Sequence, residues 1–163
     1  MIDFELRKQM ECTEEEKLEC LPVINKIMEY VNIARDQGLL SLEEHIPGID
    51  DNFLKAGMQV MVDGLSPEYT FSILNKMIMA SNKTGVDLIK QLIIRDGILA
   101  MQAGEAPGPV LLQLHAYLGE DVVIGLLEGI KESREKYDSD DQASDELSND
   151  ELSALLFDES DQT

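Results

Sequence analysis

The side chains best equipped for chemistry are too few or wrongly spaced to perform it. Asp138, Asp140, Asp141 and Glu146 offer the oxygens of a calcium loop, but such a loop also needs glycine at its sixth position and glutamate at its twelfth. Those positions hold Ala143 and Asn149. His45 and His115 have no partner at ligand spacing and read as structural or surface histidines. Cys12 and Cys20, the only cysteines, would stand about 12 Å apart along one helix. That is beyond disulfide reach and gives no metal spacing, so free thiols in a reducing cytoplasm are expected. No Ser–His–Asp order, P-loop or dinucleotide fingerprint occurs. The eight methionines suit core filling. The sequence predicts no catalytic residue, no metal site and no cofactor, and hence no enzyme.

Charge is what remains. The 163 residues carry a net charge of −20, and residues 138–163 hold ten acids and no lysine or arginine. Such a chain repels phosphate and anionic lipid, so nucleic acid and membrane surfaces are poor partners and a basic protein surface is a better one. A spanning helix needs about 20 apolar residues in a row. Runs such as Val60-Met61-Val62 and Val122-Val123-Ile124 fall far short, so no membrane insertion is expected. Asp3 and Glu5 interrupt any apolar start, so no signal peptide is expected either.

Helical signals dominate the rest. With 44% hydrophobic but only 5% aromatic residues and no Trp, the core must be aliphatic, which suits helices. Thr13-Glu14-Glu15-Glu16 has the form of a capping box. Pro22 then predicts a kink or restart at 20–22. Ile24, Ile27, Met28, Val31, Leu39, Leu42 and Ile46 recur at helical spacing, predicting one long helix over about 22–46. A second starts at Asp50 or Asp51 and ends at Gly64. A third starts at Ser66-Pro67-Glu68, with Phe71, Leu74, Met77 and Ile78 inward. Others follow over 84–104, 107–119 and 121–137. Gly38, Gly57 and Gly97 inside these helices suggest close helix approach. The fold class is all-α: a compact bundle of about five to six helices with a disordered acidic C-terminal tail ending in a short amphipathic helix. The domain reading is a helical body over 1–137, an acidic linker over 138–146, a short helical peptide over 147–157 and a disordered end over 158–163.

Two blocks of the body resemble a known family. The first runs Ala34-Arg35-Asp36-Gln37-Gly38-Leu39-Leu40-Ser41-Leu42-Glu43, then Asp51-Asn52-Phe53-Leu54-Lys55-Ala56-Gly57-Met58-Gln59-Val60-Met61-Val62-Asp63-Gly64, into Ser66-Pro67-Glu68. The second is Ile93-Ile94-Arg95-Asp96-Gly97-Ile98-Leu99-Ala100-Met101-Gln102-Ala103-Gly104-Glu105-Ala106-Pro107. Together they resemble the cytoplasmic segments of MotA, the A subunit of the flagellar stator, in the family's order. Where that family has two membrane helices between the blocks, only about Ser81 to Gly85 intervenes here. The resemblance implies no ion conduction. It implies a helical surface for the rotor protein FliG, with Arg35 and Glu43 as the matching charged contacts. Eight residues apart on one helix, these two would lie about 80° apart and share an exposed stripe.

The tail carries a second resemblance. Leu147-Ser148-Asn149-Asp150-Glu151-Leu152-Ser153-Ala154-Leu155-Leu156 is similar to the N-terminal peptide of the switch proteins FliM and FliY, which binds the phosphorylated chemotaxis regulator CheY. Ser148 and Glu151 form a capping box, and Leu147 can staple onto Leu152. Leu152, Leu155 and Leu156 then make one apolar stripe. Asp150 adds to its acidic surround; Ser153 stands where the family usually has an acid. The two resemblances imply a soluble cytoplasmic adaptor or regulator of flagellar motility, located in the cytoplasm or at the motor. Its partners would be a FliG-like rotor or stator protein and a CheY-like receiver domain. The alternative is a purely structural helical domain, a possible homodimer, with an acidic solubility tail.

Overall fold

A left-handed glycine decides the shape of the surface that carries Arg35 and Glu43. The computed structural model describes residues 4–139, of which side chains are described for 5–134. These form α1 (Phe4–Gln9), α2 (Glu14–Leu18), α3 (Leu21–Gln37), a 3₁₀ segment (Leu39–Gly48), α4 (Asn52–Val62) and α5 (Pro67–Ser81). They continue through α6 (Gly85–Ala103), α7 (Pro107–His115), a 3₁₀ turn (Ala116–Leu118) and α8 (Glu120–Ser139). No strand occurs among the described residues, as the all-α reading requires. The count is eight α-helices rather than five or six. The N-terminal turn α1 carries no clear start signal, and α2 is a separate short helix.

Local chemistry explains most boundaries. The capping box at Thr13 forms: Glu16 N–H donates to Thr13 Oγ1 at 3.1 Å, and Thr13 N–H donates to Glu16 Oε2 at 2.7 Å. Pro22 falls in the first turn of α3, where its missing N–H costs nothing. Asp51 caps α4 by accepting from Leu54 N–H at 2.7 Å, and Ser66 caps α5.

The predicted long helix over 22–46 does not form. α3 stops at Gln37 because Gly38 adopts φ 87, a region where other residues are strained. Its N–H still closes on Ala34 C=O at 2.9 Å. The chain then tightens into the 3₁₀ segment. There Ser41 Oγ donates to Gly38 C=O at 2.6 Å, and Pro47, with no N–H to give, precedes the exit. The apolar spacing continued through residue 46 because Leu42, Ile46 and Ile49 are still buried, but on a different helix type.

The chain divides into two units, Met1–Leu118 and Gly119–Thr163. In the first unit α6 is the central helix, with α3, α4, α5 and α7 packed around it. Leu88, Ile89, Leu92, Ile93, Ile94, Ile98 and Met101 are all buried, so α6 is apolar nearly all round, as an enclosed helix must be. Each fully buried Leu or Ile contributes about 1.5–3 kcal/mol. Two glycines set the spacing. A Cβ on Gly97 would meet Ile27 Cγ2 at 2.4 Å, and one on Gly57 would meet Ile98 Cδ1 at 2.3 Å. Gly38 differs: nothing lies within 4 Å of its Cβ position, so it serves the turn and not a close approach. Phe71, expected inward, is 44% exposed. The phase of α5 is set by Thr70 and Leu74, four residues apart and both fully buried. In the second unit, α8 opens with Glu120 and Asp121 at its N-terminal turn, favourable against the helix dipole.

Candidate functional site

Arg35 lies in the last turn of α3 and Glu43 within the 3₁₀ segment, and both are exposed. They do not share a helix, so the stripe inferred from an 80° separation is replaced by a corner. The 3₁₀ segment packs on α3 and α4 with Leu42 and Ile46 buried, and the His45 ring is tilted 60° to that of Tyr30, with centroids 6.1 Å apart. Between Arg35 and Glu43, Leu40 is 72% exposed. Asp36 and Glu44 are exposed beside them, and Glu44 lies 3.7 Å from His45 Nε2.

Arg35 also edges a cleft of about 530 Å³. One wall is the end of α3 with Val31, Ala34, Gly38 and Leu39; the other is the end of α6 and its turn, Met101 to Ala106. That turn is well made. Gly104 takes the left-handed conformation at φ 69, and Glu105 N–H donates to Ala100 C=O at 3.0 Å, satisfying carbonyls that a helix end leaves open. Gln102 Nε2 donates to Leu65 C=O at 2.5 Å, anchoring α6 to the α4–α5 connection. Gln102 and Glu105 belong to the second sequence block, Arg35 and Leu39 to the first. The fold thus brings the two blocks together around one cleft.

A polar cluster that spacing did not reveal stiffens the support. Arg95 and Asp96 on α6 are paired, Nη2 to Oδ1, at 2.7 Å. Arg95 Nη1 donates to Asn75 Oδ1 on α5 at 2.9 Å, and Tyr117 OH donates to Asp96 Oδ2 at 2.5 Å. The Arg95 guanidinium also lies 5.4 Å from the Phe71 ring centre, a cation–π distance. Burial, then the bond to Asp96, pushes the Tyr117 phenol up from its ordinary value, so it remains a donor. Phe71 and Asn75 on α5, Arg95 and Asp96 on α6 and Tyr117 in the 3₁₀ turn come from three places in the chain, which only the folded helices bring together.

The cysteines are both free, Cys20 buried and Cys12 half-buried. Burial pushes the Cys20 thiol up to about 11, which keeps it protonated and unreactive. His115 is fully buried, with Nδ1 2.8 Å from Leu111 C=O. Among the described residues no group of three His, Cys, Asp or Glu is placed to hold a metal. None of their helices is long and apolar enough to cross a membrane. Leu147, Ser148, Asp150, Glu151, Leu152, Leu155 and Leu156 lie outside the described residues.

Comparison with known proteins supports the first resemblance. The chain is 37% identical over 71 residues to motility protein A of Borreliella burgdorferi, covering 42% of this chain and 27% of that relative. It is 37% identical over 67 residues to motility protein A of Bacillus subtilis, covering 41% of this chain and 25% of that one. Part of this chain is therefore similar to motility protein A, and the chain spans about a quarter of the length of these relatives. No family profile matches it, and no solved structure does. Between the two blocks α5 ends at Ser81, and its cap Asn82 takes a left-handed conformation, φ 52. The chain turns back into α6 at Gly85, φ 59. The Ser81 hydroxyl donates to Gln91 Oε1 at 2.9 Å, closing a helical hairpin across the turn.

Proposed function

We propose that this protein is a cytoplasmic adaptor or regulator of flagellar motility that docks on a motor component through the corner bearing Arg35 and Glu43. The similarity to motility protein A carries the reading, and the exposure of both charged residues supports it. Exposed charges on a surface of this kind suit a fast, salt-sensitive contact. The partner is a FliG-like rotor protein or a stator component. The segment Leu147–Leu156 is the second arm, a peptide ligand for a CheY-like receiver domain, and the acidic stretch before it is a tether that raises the local concentration of whatever it captures.

The arms are separable by experiment. A peptide spanning 145–159, titrated into a purified receiver domain with and without beryllofluoride, is expected to bind the activated form more tightly. Identical spectra in both states would remove this arm. The body's arm is tested by swimming assays in motile cells expressing the chain and its Glu43→Lys variant. A change in swimming speed that the variant abolishes is expected, and no effect from either protein counts against the proposal.

One observation favours the second reading, a self-associating helical domain. Tyr69, Phe71 and Met79 on α5 are 68%, 44% and 77% exposed. Light scattering behind size exclusion decides it: a dimer that Met79→Lys converts to monomer supports self-association, and a monomeric parent chain removes it.

A further inference from the structure

The Arg35–Glu43 corner has an apolar side that charge pairing does not use. Leu40, 72% exposed, stands three residues before Glu43, a spacing that places the two on one edge of a 3₁₀ segment. Its neighbour Leu39 lines the cleft of about 530 Å³, together with Val31 and Met101. A single exposed leucine is unremarkable on a protein surface. Here it follows Leu39, which lines a recess with apolar Val31 and Met101 as well as polar Gln102 in its walls, and such a recess can take an anchoring side chain at an interface. Acids outnumber bases on this stretch of chain: Asp36, Glu43 and Glu44 are exposed on the segments that carry Arg35 and Leu40, and Glu105 faces Arg35 across the lining of the recess.

We infer that this face receives a basic protein segment whose apolar side chain enters the cleft and packs against Leu40. The inference rests on reading this corner as the docking surface and adds the chemistry of its partner: basic rather than mixed in charge, and anchored by an apolar residue rather than by ion pairs alone. The exposed acids draw the segment in and orient it, and the recess holds it by excluding water from the anchor. Affinity then divides into a salt-sensitive part and a salt-resistant part.

The test uses the full chain labelled with ¹⁵N and two synthetic probes, a lysine-rich peptide with a central Leu-Leu pair and the same peptide with Ser-Ser. The leucine peptide is expected to bind about tenfold tighter than the serine peptide. It should shift the amides of Gly38, Leu39, Leu40, Gln102 and Glu105, and keep its advantage at high salt. Leu40→Ser should weaken the leucine peptide about tenfold and leave the serine peptide unchanged. Because Leu40 is exposed, that variant should fold normally, and its amide spectrum checks this. Equal binding of the two peptides would overturn the inference. So would shifts centred on Tyr69 and Met79, or an unchanged affinity in Leu40→Ser. A chain that takes the leucine peptide yet has no effect on swimming keeps this inference and loses the motility reading; the converse result removes this inference alone.

Discussion

Ile27 sits over Gly97 so closely that an added Cβ would lie 2.4 Å from its Cγ2. That methyl is fixed to a β-branched carbon and cannot swing aside. Gly97→Ala should therefore cost about 1–3 kcal/mol by overpacking, in excess of the gain of about 1 kcal/mol from helix propensity. Gly57→Ala meets the far end of Ile98, which can rotate, and should cost less. Urea unfolding of the two variants checks the order. His115 gives a pH signature. Burial lowers its pKa from 6.5, so below about pH 6.5 the unfolded chain binds a proton that the folded chain resists. Stability from this residue is complete above that pH and falls as pH drops toward the folded value, by at most about 1.4 kcal/mol per unit. His115→Gln should flatten the difference in unfolding midpoint between pH 7 and pH 5; an equal pH slope in both proteins would refute it. Gly57 and Gly97 were legible as packing glycines because nothing else explains glycine within an apolar helix. His115 was legible as structural because it lacked a partner. Phe71 was misread, since periodicity alone could not choose between its phase and that of Thr70.

At the scale of elements, Gly38 is the decisive position. Any side chain there meets strain at φ 87 although the space is empty. Gly38→Ala should cost about 1–2 kcal/mol and weaken the proposed docking together with stability, because the 3₁₀ segment bearing Leu40 and Glu43 begins from it. Helix starts were readable: Thr13, Asp51 and Ser66 cap where their types predict. The stop at Gly38 was written in the chain too, as a glycine after a polar turn, but apolar spacing continued past it and concealed the break. The cluster of Asn75, Arg95, Asp96 and Tyr117 was illegible, because its partners are 20 and 21 residues apart and meet only through the packing of α5, α6 and the turn after α7. Tyr117→Phe removes the donor to Asp96 Oδ2 while Arg95 still holds Oδ1, and should lower stability by about 1.5–3 kcal/mol.

For the molecule as a whole, two sequence blocks converge on one cleft. The three-residue connection between Ser81 and Gly85 suffices because α5 and α6 pack as neighbours. The net charge of −20 favours basic over acidic protein surfaces and makes such contacts salt-dependent. The central claim is that this corner docks on a flagellar rotor component. The direct measurement is interferometry between the full chain and a purified FliG-like rotor domain at low and at high salt, repeated with Arg35→Glu and Glu43→Lys. Saturable binding at low salt, weakened by added salt and changed about tenfold by either reversal, is the predicted result. No binding at low salt, or binding indifferent to both reversals, would contradict it.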